Sequence, residues 1–138
     1  MILIVCLDTR GGMLFNHRRQ SQDQVVRQDM LAAGQPLWMH PDSAKQFAGQ
    51  EGQIISDAGF LDKAGPGAYC FAEQDGLLPY LARVEKLIVY QWNRHYPADV
   101  YFPVKLQAPA WRLIQTREFA GTSHKKITKE VYLHEEMS

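Results

Sequence analysis

The chain has 138 residues, of which 46% are hydrophobic and 22% are charged, and these values are typical of one globular domain. Lys plus Arg and Asp plus Glu balance at 15 each, which argues against broad binding to nucleic acid or to an anionic membrane. The N-terminal apolar run is short and lacks the basic segment and cleavage site of a signal peptide. We therefore expect a single cytoplasmic domain over residues 1–138.

The first two thirds of the chain alternate strands with helices. Ile2–Leu7 is a continuous apolar run, which predicts a buried central strand. Ser21, followed three residues later by Gln24, has the capping-box arrangement and predicts a helix from about Gln22 to Ala33. The next predicted elements are a strand at Leu37–Met39, a brief helix through Phe47, a strand at Gln53–Ser56, a turn or helix near Phe60, a strand at Gly67–Ala72, a helix at Gly76–Val84 and a strand at Lys86–Trp92.

The last third is rich in strands, which we predict at Val100–Phe102, Ala110–Phe119 and Lys126–Leu133. The loops between them are too short for a helix and suit antiparallel pairing. The earlier strand and helix units favour parallel pairing, because parallel neighbours need a crossover connection. The pattern predicts a three-layer α/β fold with a largely parallel central sheet and antiparallel C-terminal strands.

Signatures of metal and nucleophile chemistry are missing from the sequence. The five histidines are spread singly, and there is no H-E-x-x-H or C-x-x-C spacing. Cys6 and Cys70 lie inside apolar runs, where reduced cysteines pack as small hydrophobic residues. We expect no metal site.

Three C-terminal segments carry a family resemblance. They read DVYFP at Asp99–Pro103, a Trp at Trp111 within WRLIQTREF, and SHKKITKEVY at Ser123–Tyr132. In this order they resemble the C-terminal end of dihydrofolate reductases, and the aliphatic first strand, glycine turn, loop and capped helix resemble the N-terminal end. The resemblance implies the dihydrofolate reductase-like fold for the whole chain.

The same resemblance implies that the NADPH site of the family is lost. Reductases have a Gly-Gly pair after the strand matched here to Lys86–Tyr90, where backbone amides approach the cofactor pyrophosphate. Here the strand continues into Gln91 and the bulky Trp92, and the short passage from Trp92 to Asp99 leaves no room for the helix and strand that follow in reductases. We expect no cofactor, and in particular no NADPH bound in the family manner.

Asp23 is the only acid placed to match the substrate-binding carboxylate of reductases, so the resemblance implies that any catalysis uses it. A loop before a helix N-terminus suits a phosphate or carboxylate, and this loop offers four further candidate ligand-binding residues. They are Asn16, Arg18, Arg19 and Ser21. The alternative is that Ser21 caps the helix, that Asp23 complements its dipole and that the arginines are solvated.

Asp8, Trp92 and Arg94 follow two predicted central strands and are also candidate ligand-binding residues. Ligands of open α/β sheets bind at the carboxyl ends of the strands, and an aromatic ring beside an Arg suits a planar ligand. The alternatives are that Asp8 forms a turn and that Trp92 fills the space of the missing helix.

Three functions therefore stay open. The first is a catalytically diverged reductase-like protein that binds a small anionic or nucleotide-like ligand or acts through interactions. The second is an oxidoreductase or other enzyme that acts on a pterin-like or small anionic substrate with Asp23, helped by Asp8 and Arg19. The third is a homo-oligomer formed through a sheet edge exposed near Arg94 to Asp99, because open edges invite partners.

Overall fold

The computed structural model describes residues 1–106 and 109–135. Across these residues it contains ten strands, three α-helices and three 3-10 helices. The strands are β1 (Ile2–Leu7), β2 (Gly12–Phe15), β3 (Arg18–Arg19), β4 (Leu37–Met39), β5 (Ile54–Ser56), β6 (Tyr69–Phe71), β7 (Lys86–Gln91), β8 (Val100–Tyr101), β9 (Trp111–Phe119) and β10 (Ile127–His134). The α-helices are α1 (Gln24–Ala33), α2 (Pro41–Ala44) and α3 (Phe60–Lys63), and the 3-10 helices are Lys45–Phe47, Glu51–Gln53 and Leu78–Arg83.

A seven-stranded sheet with the order β5-β4-β6-β1-β7-β10-β9 organises the chain. The five strands from β5 to β7 are parallel, because helical segments connect them, whereas β10 and β9 run antiparallel. Strand β1 lies in the middle and pairs over its whole length with β7. The predicted α/β fold, with a mainly parallel sheet and antiparallel C-terminal strands, is confirmed.

Apolar side chains from both faces of the sheet form two cores, so the fold has three layers. Leu3 and Val5 pack on one face with Phe60 from α3 and Leu81 from the 3-10 helix. Ile4, which lies between them in β1, points to the other face. There the core includes Val26 and Met30 of α1, and Phe47. A central parallel strand is buried on both sides, which explains its continuous apolar sequence.

The start of α1 corrects one sequence-based prediction. The N-cap is Asp23 and not Ser21, and the helix begins at Gln24. The Asp23 carboxylate accepts hydrogen bonds from the amides of Val25 at 2.9 Å and Val26 at 3.4 Å. Both residue types are good caps, and contacts from the distant C-terminal segment select the aspartate.

The helix predicted at Gly76–Val84 is a 3-10 helix over Leu78–Arg83. Gly76 has a left-handed φ of 78°, and Pro79 supplies no N–H near the start of the helix. This 3-10 helix, with hydrogen bonds between residues i and i+3, lies in the connection between β6 and β7.

A second correction concerns residues 16–19, which the sequence placed in a loop. Strands β2 and β3 form a hairpin, and Asn16 and His17 at its turn have positive φ values of 51° and 61°. This is the backbone of a type I′ turn, whose usual Asn-Gly signature is absent here. Strand β8 pairs with the other side of β2 and completes a small three-stranded sheet.

The segment from Trp92 to Asp99 contains no helix or strand, as predicted. The large sheet ends at β5 and β9, and β8, which follows Asp99, is an edge strand of the small sheet, so pairing between chains near this segment stays a prediction. Asp99 donates its amide to the Leu14 carbonyl at 2.9 Å, so the small sheet covers the end of the segment. In the described part of the chain, no helix is long and apolar enough to cross a membrane.

Candidate functional site

A cleft of 540 Å³ lies between the β2–β3 hairpin and the segment that follows β7. We call it the hairpin cleft, and its lining residues are Phe15, Asn16, Arg18, Arg19, Gln20, Tyr96 and Pro97. It lies near the carboxyl ends of β1 and β7, where open α/β sheets place their ligands. Three of the predicted ligand-binding residues, Asn16, Arg18 and Arg19, therefore share one cavity.

The two arginines of the hairpin cleft differ in their contacts. The Arg19 Nε lies 3.2 and 3.1 Å from the two carboxylate oxygens of Glu73, and an Arg19 terminal nitrogen donates to the Asp42 carbonyl at 2.9 Å. Arg18 is exposed and has no ion-pair partner among residues 1–106 and 109–135. Its guanidinium is therefore the group in this cleft that is free to pair with an anion.

Asp8 is only 1% exposed and holds the loop after β1 together. Its carboxylate accepts from the amides of Arg10 and Gly12, each at 2.8 Å, and from the Gln20 side-chain amide at 2.9 Å. Burial alone raises the pKa of Asp8, but these hydrogen bonds outweigh it and leave the pKa below its ordinary value. The observed role is the turn-forming one, and contact with a ligand stays a prediction.

Gln20 connects the Asp8 loop to the hairpin cleft. Its Nε2 donates to the Asp8 carboxylate and lies 3.4 Å from the Pro97 carbonyl, which fixes the orientation of the amide group. Its Oε1 is buried and accepts no hydrogen bond within the described residues. A buried carbonyl oxygen without a donor is costly, and this atom has almost no exposed surface, so it does not face the open space of the cleft.

Asp23 lies apart from the hairpin cleft, in a cluster at the start of α1. Besides the two helical amides, it accepts from the Ser123 amide at 2.8 Å and from the Ser123 hydroxyl at 2.9 Å. Burial alone raises the pKa of the Asp23 carboxyl, but the hydrogen bonds from Ser123 and Val26 outweigh it, and the pKa is well below its ordinary value. A Cβ at Gly121 would overlap this carboxylate, so the fit is close.

His124 extends this cluster toward the hairpin cleft. Its Nδ1 lies 2.8 Å from the Ser123 hydroxyl, and its Nε2 lies 2.8 Å from the Tyr96 hydroxyl. The ring stacks on Trp92 with a centroid distance of 4.5 Å, and both side chains are buried. We call Asp23, Ser123 and His124 the helix-cap cluster.

Burial lowers the pKa of His124, and the positive charge of Arg94 lowers it further, while the Asp23 carboxylate opposes the shift. The net pKa is below the ordinary value, so the ring is held neutral at neutral pH. Sequence reasoning did not connect His124 with Asp23 or Tyr96, because these partners lie in distant segments of the chain.

The remaining predicted ligand-binding residues lie around the hairpin cleft and the helix-cap cluster. Ser21 borders a gap of 10 Å³ that also touches Trp92, and this gap is too small for a ligand. Trp92 is 3% exposed and fills the interior behind the hairpin cleft. Arg94 is exposed and does not line the cleft, and its carbonyl accepts from the Thr9 amide at 3.0 Å. Ligand contacts of these three residues stay predictions.

A neighbouring cleft of 620 Å³ lies on the other side of the Asp8 loop. Its lining includes Arg10, Gln91 and the segment Phe102–Leu106. Its lining includes no tyrosine and does not include Gln20, so it differs from the hairpin cleft although it also contains an arginine.

Comparisons with known proteins agree with this fold. No family model matches the chain, and no curated protein matches its sequence. Its structure is similar to that of a dihydrofolate reductase from Enterococcus faecalis complexed with NADP(H) and RAB-propyl, with a TM-score of 0.67 and 10% sequence identity. The match covers 96% of this chain and 95% of that chain. The chain therefore has the dihydrofolate reductase-like fold.

Proposed function

We propose that this protein binds a small, planar, anionic ligand in the hairpin cleft and is not an NADPH-dependent dihydrofolate reductase. The observation that carries the proposal is the unpaired Arg18 guanidinium, which shares a cavity with the rings of Phe15 and Tyr96. A guanidinium pairs with phosphate or carboxylate, and aromatic rings offer flat surfaces to a heterocycle. A nucleoside monophosphate combines both features in one molecule.

Strands β6 and β7 flank β1 in the sheet. The turns that follow these two strands do not fit NADPH held by close contact with backbone amides. The turn after β6 reads Ala72, Glu73, Gln74, and the turn after β7 reads Trp92, Asn93, Arg94, so neither contains a glycine pair. Glu73 also places a mostly buried carboxylate at this edge, where it would repel a pyrophosphate. These residues support a protein that does not use NADPH in the family manner.

The hydrogen bonds of Asp23 argue against the alternative of an enzyme that uses this carboxylate as an acid or base. A general acid or base needs a pKa near the working pH and access to its substrate. Asp23 is 2% exposed, it has a lowered pKa, and its oxygens accept from its own helix and from Ser123. Asp8 and Arg19, the proposed helpers, are likewise held by internal partners.

We also propose that residues 1–138 act as one cytoplasmic domain. The two cores share the same central sheet, which supports a single folding unit. Cys6 and Cys70 are free thiols, which suits a reducing compartment. Burial raises the pKa of the Cys70 thiol to about 11, which makes this thiol less reactive.

A thermal-shift titration with adenosine 5′-monophosphate (AMP), NADPH and folate tests the proposal. A ligand at one hundred times its dissociation constant stabilises the folded state by about 2.7 kcal/mol. We expect AMP to stabilise the wild-type protein and to bind Arg18→Ala at least about tenfold more weakly, because a charge-assisted contact is lost. Arg10→Ala, which removes a cation from the neighbouring cleft, is the matched control and should bind AMP like the wild type.

NADPH and folate should give no shift of their own. An NADPH response at micromolar concentration that survives Arg18→Ala would contradict the proposal, since it would show a cofactor site outside the hairpin cleft. Equal loss of AMP binding in Arg18→Ala and Arg10→Ala would also contradict it.

A further inference from the structure

Resting on the proposed function, we propose that Tyr96 makes the hairpin cleft selective for a ligand whose ring carries N–H donors, such as an amino-substituted heterocycle. Tyr96 lines the cleft. The inference depends on the direction of the hydrogen bonds that reach Tyr96 from the helix-cap cluster.

The Ser123 hydroxyl fixes the first direction. Its oxygen lies 2.8 Å from the Gln22 carbonyl, 2.9 Å from the Asp23 carboxylate and 2.8 Å from the His124 Nδ1. The carbonyl and the ionised carboxylate only accept, and the hydroxyl has a single proton to donate. A third acceptor at this oxygen would have no proton to receive, so the His124 Nδ1 carries a proton and donates it to Ser123.

The second direction follows from the neutral state of His124. A neutral imidazole has one N–H, and here Nδ1 holds it, so Nε2 is an acceptor. The charged groups that act on this ring are Asp23 from the start of α1 and Arg94 from the segment after β7, and burial favours the neutral form. The Tyr96 hydroxyl therefore donates to Nε2 across 2.8 Å.

As a result, the Tyr96 oxygen has only lone pairs left for any other partner. A ring amino group would donate to this oxygen, whereas a ring without any N–H would leave it without a donor. The cleft thus combines an anion-binding arginine with an acceptor for an N–H group.

The direction of the hydrogen bonds can be measured without any ligand. Long-range ¹H–¹⁵N spectra of the full chain report which nitrogen of His124 carries the proton, and Tyr96→Phe assigns the Nε2 signal by removing its donor. We expect the proton on Nδ1 and an unprotonated Nε2 at neutral pH. A proton on Nε2 would overturn the inference, since Tyr96 would then be free to donate into the cleft.

Ligand selection is tested with AMP and purine riboside 5′-monophosphate, which lacks the ring amino group and has no ring N–H. We expect AMP to bind about tenfold more tightly, the factor that corresponds to one unpaired acceptor. Tyr96→Phe should reduce this preference, because it removes the acceptor while it keeps the ring and Arg18. Equal binding of the two nucleotides by the wild type would overturn the inference.

The two measurements also separate this inference from the proposed function. If neither nucleotide binds while Nδ1 carries the proton, the proposed function is wrong and the ligand selection fails with it. If AMP binds through Arg18 but purine riboside 5′-monophosphate binds equally well, the proposed function stands and only the selectivity is wrong.

Discussion

The helix-cap cluster and the hairpin cleft lie close together, but their hydrogen-bonding states differ. In the cluster, Asp23 and both nitrogens of His124 have partners inside the protein. In the cleft, Arg18 has no ion-pair partner and the Gln20 Oε1 has no donor, as far as the structure describes the chain. Sequence reasoning drew candidates from both regions, because both contain charged residues near a helix start.

Residue type alone therefore does not mark a binding site in this fold. Polar atoms whose bonding capacity is already used stabilise the fold, whereas those with unused capacity can bind a ligand. Substitutions in the cluster should therefore change stability, and substitutions in the cleft should change binding.

Asp23→Ala should give the largest effect on stability. It removes the N-cap of α1 and leaves the Ser123 amide without its acceptor, so we expect a loss of about 2–4 kcal/mol in the free energy of unfolding. Arg18→Ala should change stability by less than about 0.5 kcal/mol, because the side chain is exposed. Urea unfolding measures both values. Similar losses for the two variants would remove the distinction between cluster and cleft.

Gly121→Ala tests how closely the cluster is packed. The new Cβ would overlap the Asp23 carboxylate, so we expect a loss of about 1–3 kcal/mol. Gly65→Ala is the matched control, because a Cβ there meets no atom within 4 Å. Thermal unfolding should separate the two variants. A Gly121→Ala protein as stable as Gly65→Ala would show that the carboxylate can move without cost.

The pH dependence of stability should show a smaller effect from His124. Its pKa is lowered in the folded state, so the unfolded chain binds a proton more readily as the pH falls. The contribution of His124 is therefore fully present above its ordinary pKa of about 6.5 and is lost as the pH falls through the lower folded value. His124→Gln should flatten the stability curve between the folded pKa of His124 and about pH 6.5, where unfolding takes up a proton at this residue. An unchanged slope in this variant would contradict a neutral, buried His124.

The central sheet could be predicted from the sequence, because strands that are buried on both faces, such as β1 and β7, have continuous apolar runs. Sequence reasoning missed the β2–β3 hairpin, since Asn16 and His17 adopt the turn backbone without a glycine. It chose Ser21 over Asp23 as the helix cap, because local spacing favoured Ser21 and the deciding contacts come from Ser123. Contacts between residues about one hundred positions apart leave no local pattern in a single sequence.

The candidate site residues could likewise be predicted only in part from the sequence. Arg18 and Arg19 were both predicted from charge and position, but only the structure shows that Glu73 pairs with Arg19. Neither Gln20 nor Tyr96 was among the predicted ligand-binding residues, since the Gln20 bond to Asp8 and the Tyr96 bond to His124 form only in the folded chain.

A backbone amide chemical-shift map of the protein titrated with AMP locates the binding site residue by residue. We expect shifts concentrated in residues 15–20 and 96–97, saturating with one affinity and lost in Arg18→Ala. Shifts concentrated instead around Asp23 and residues 121–124, or around Arg10 and residues 102–106, would contradict the assignment of the hairpin cleft as the binding site.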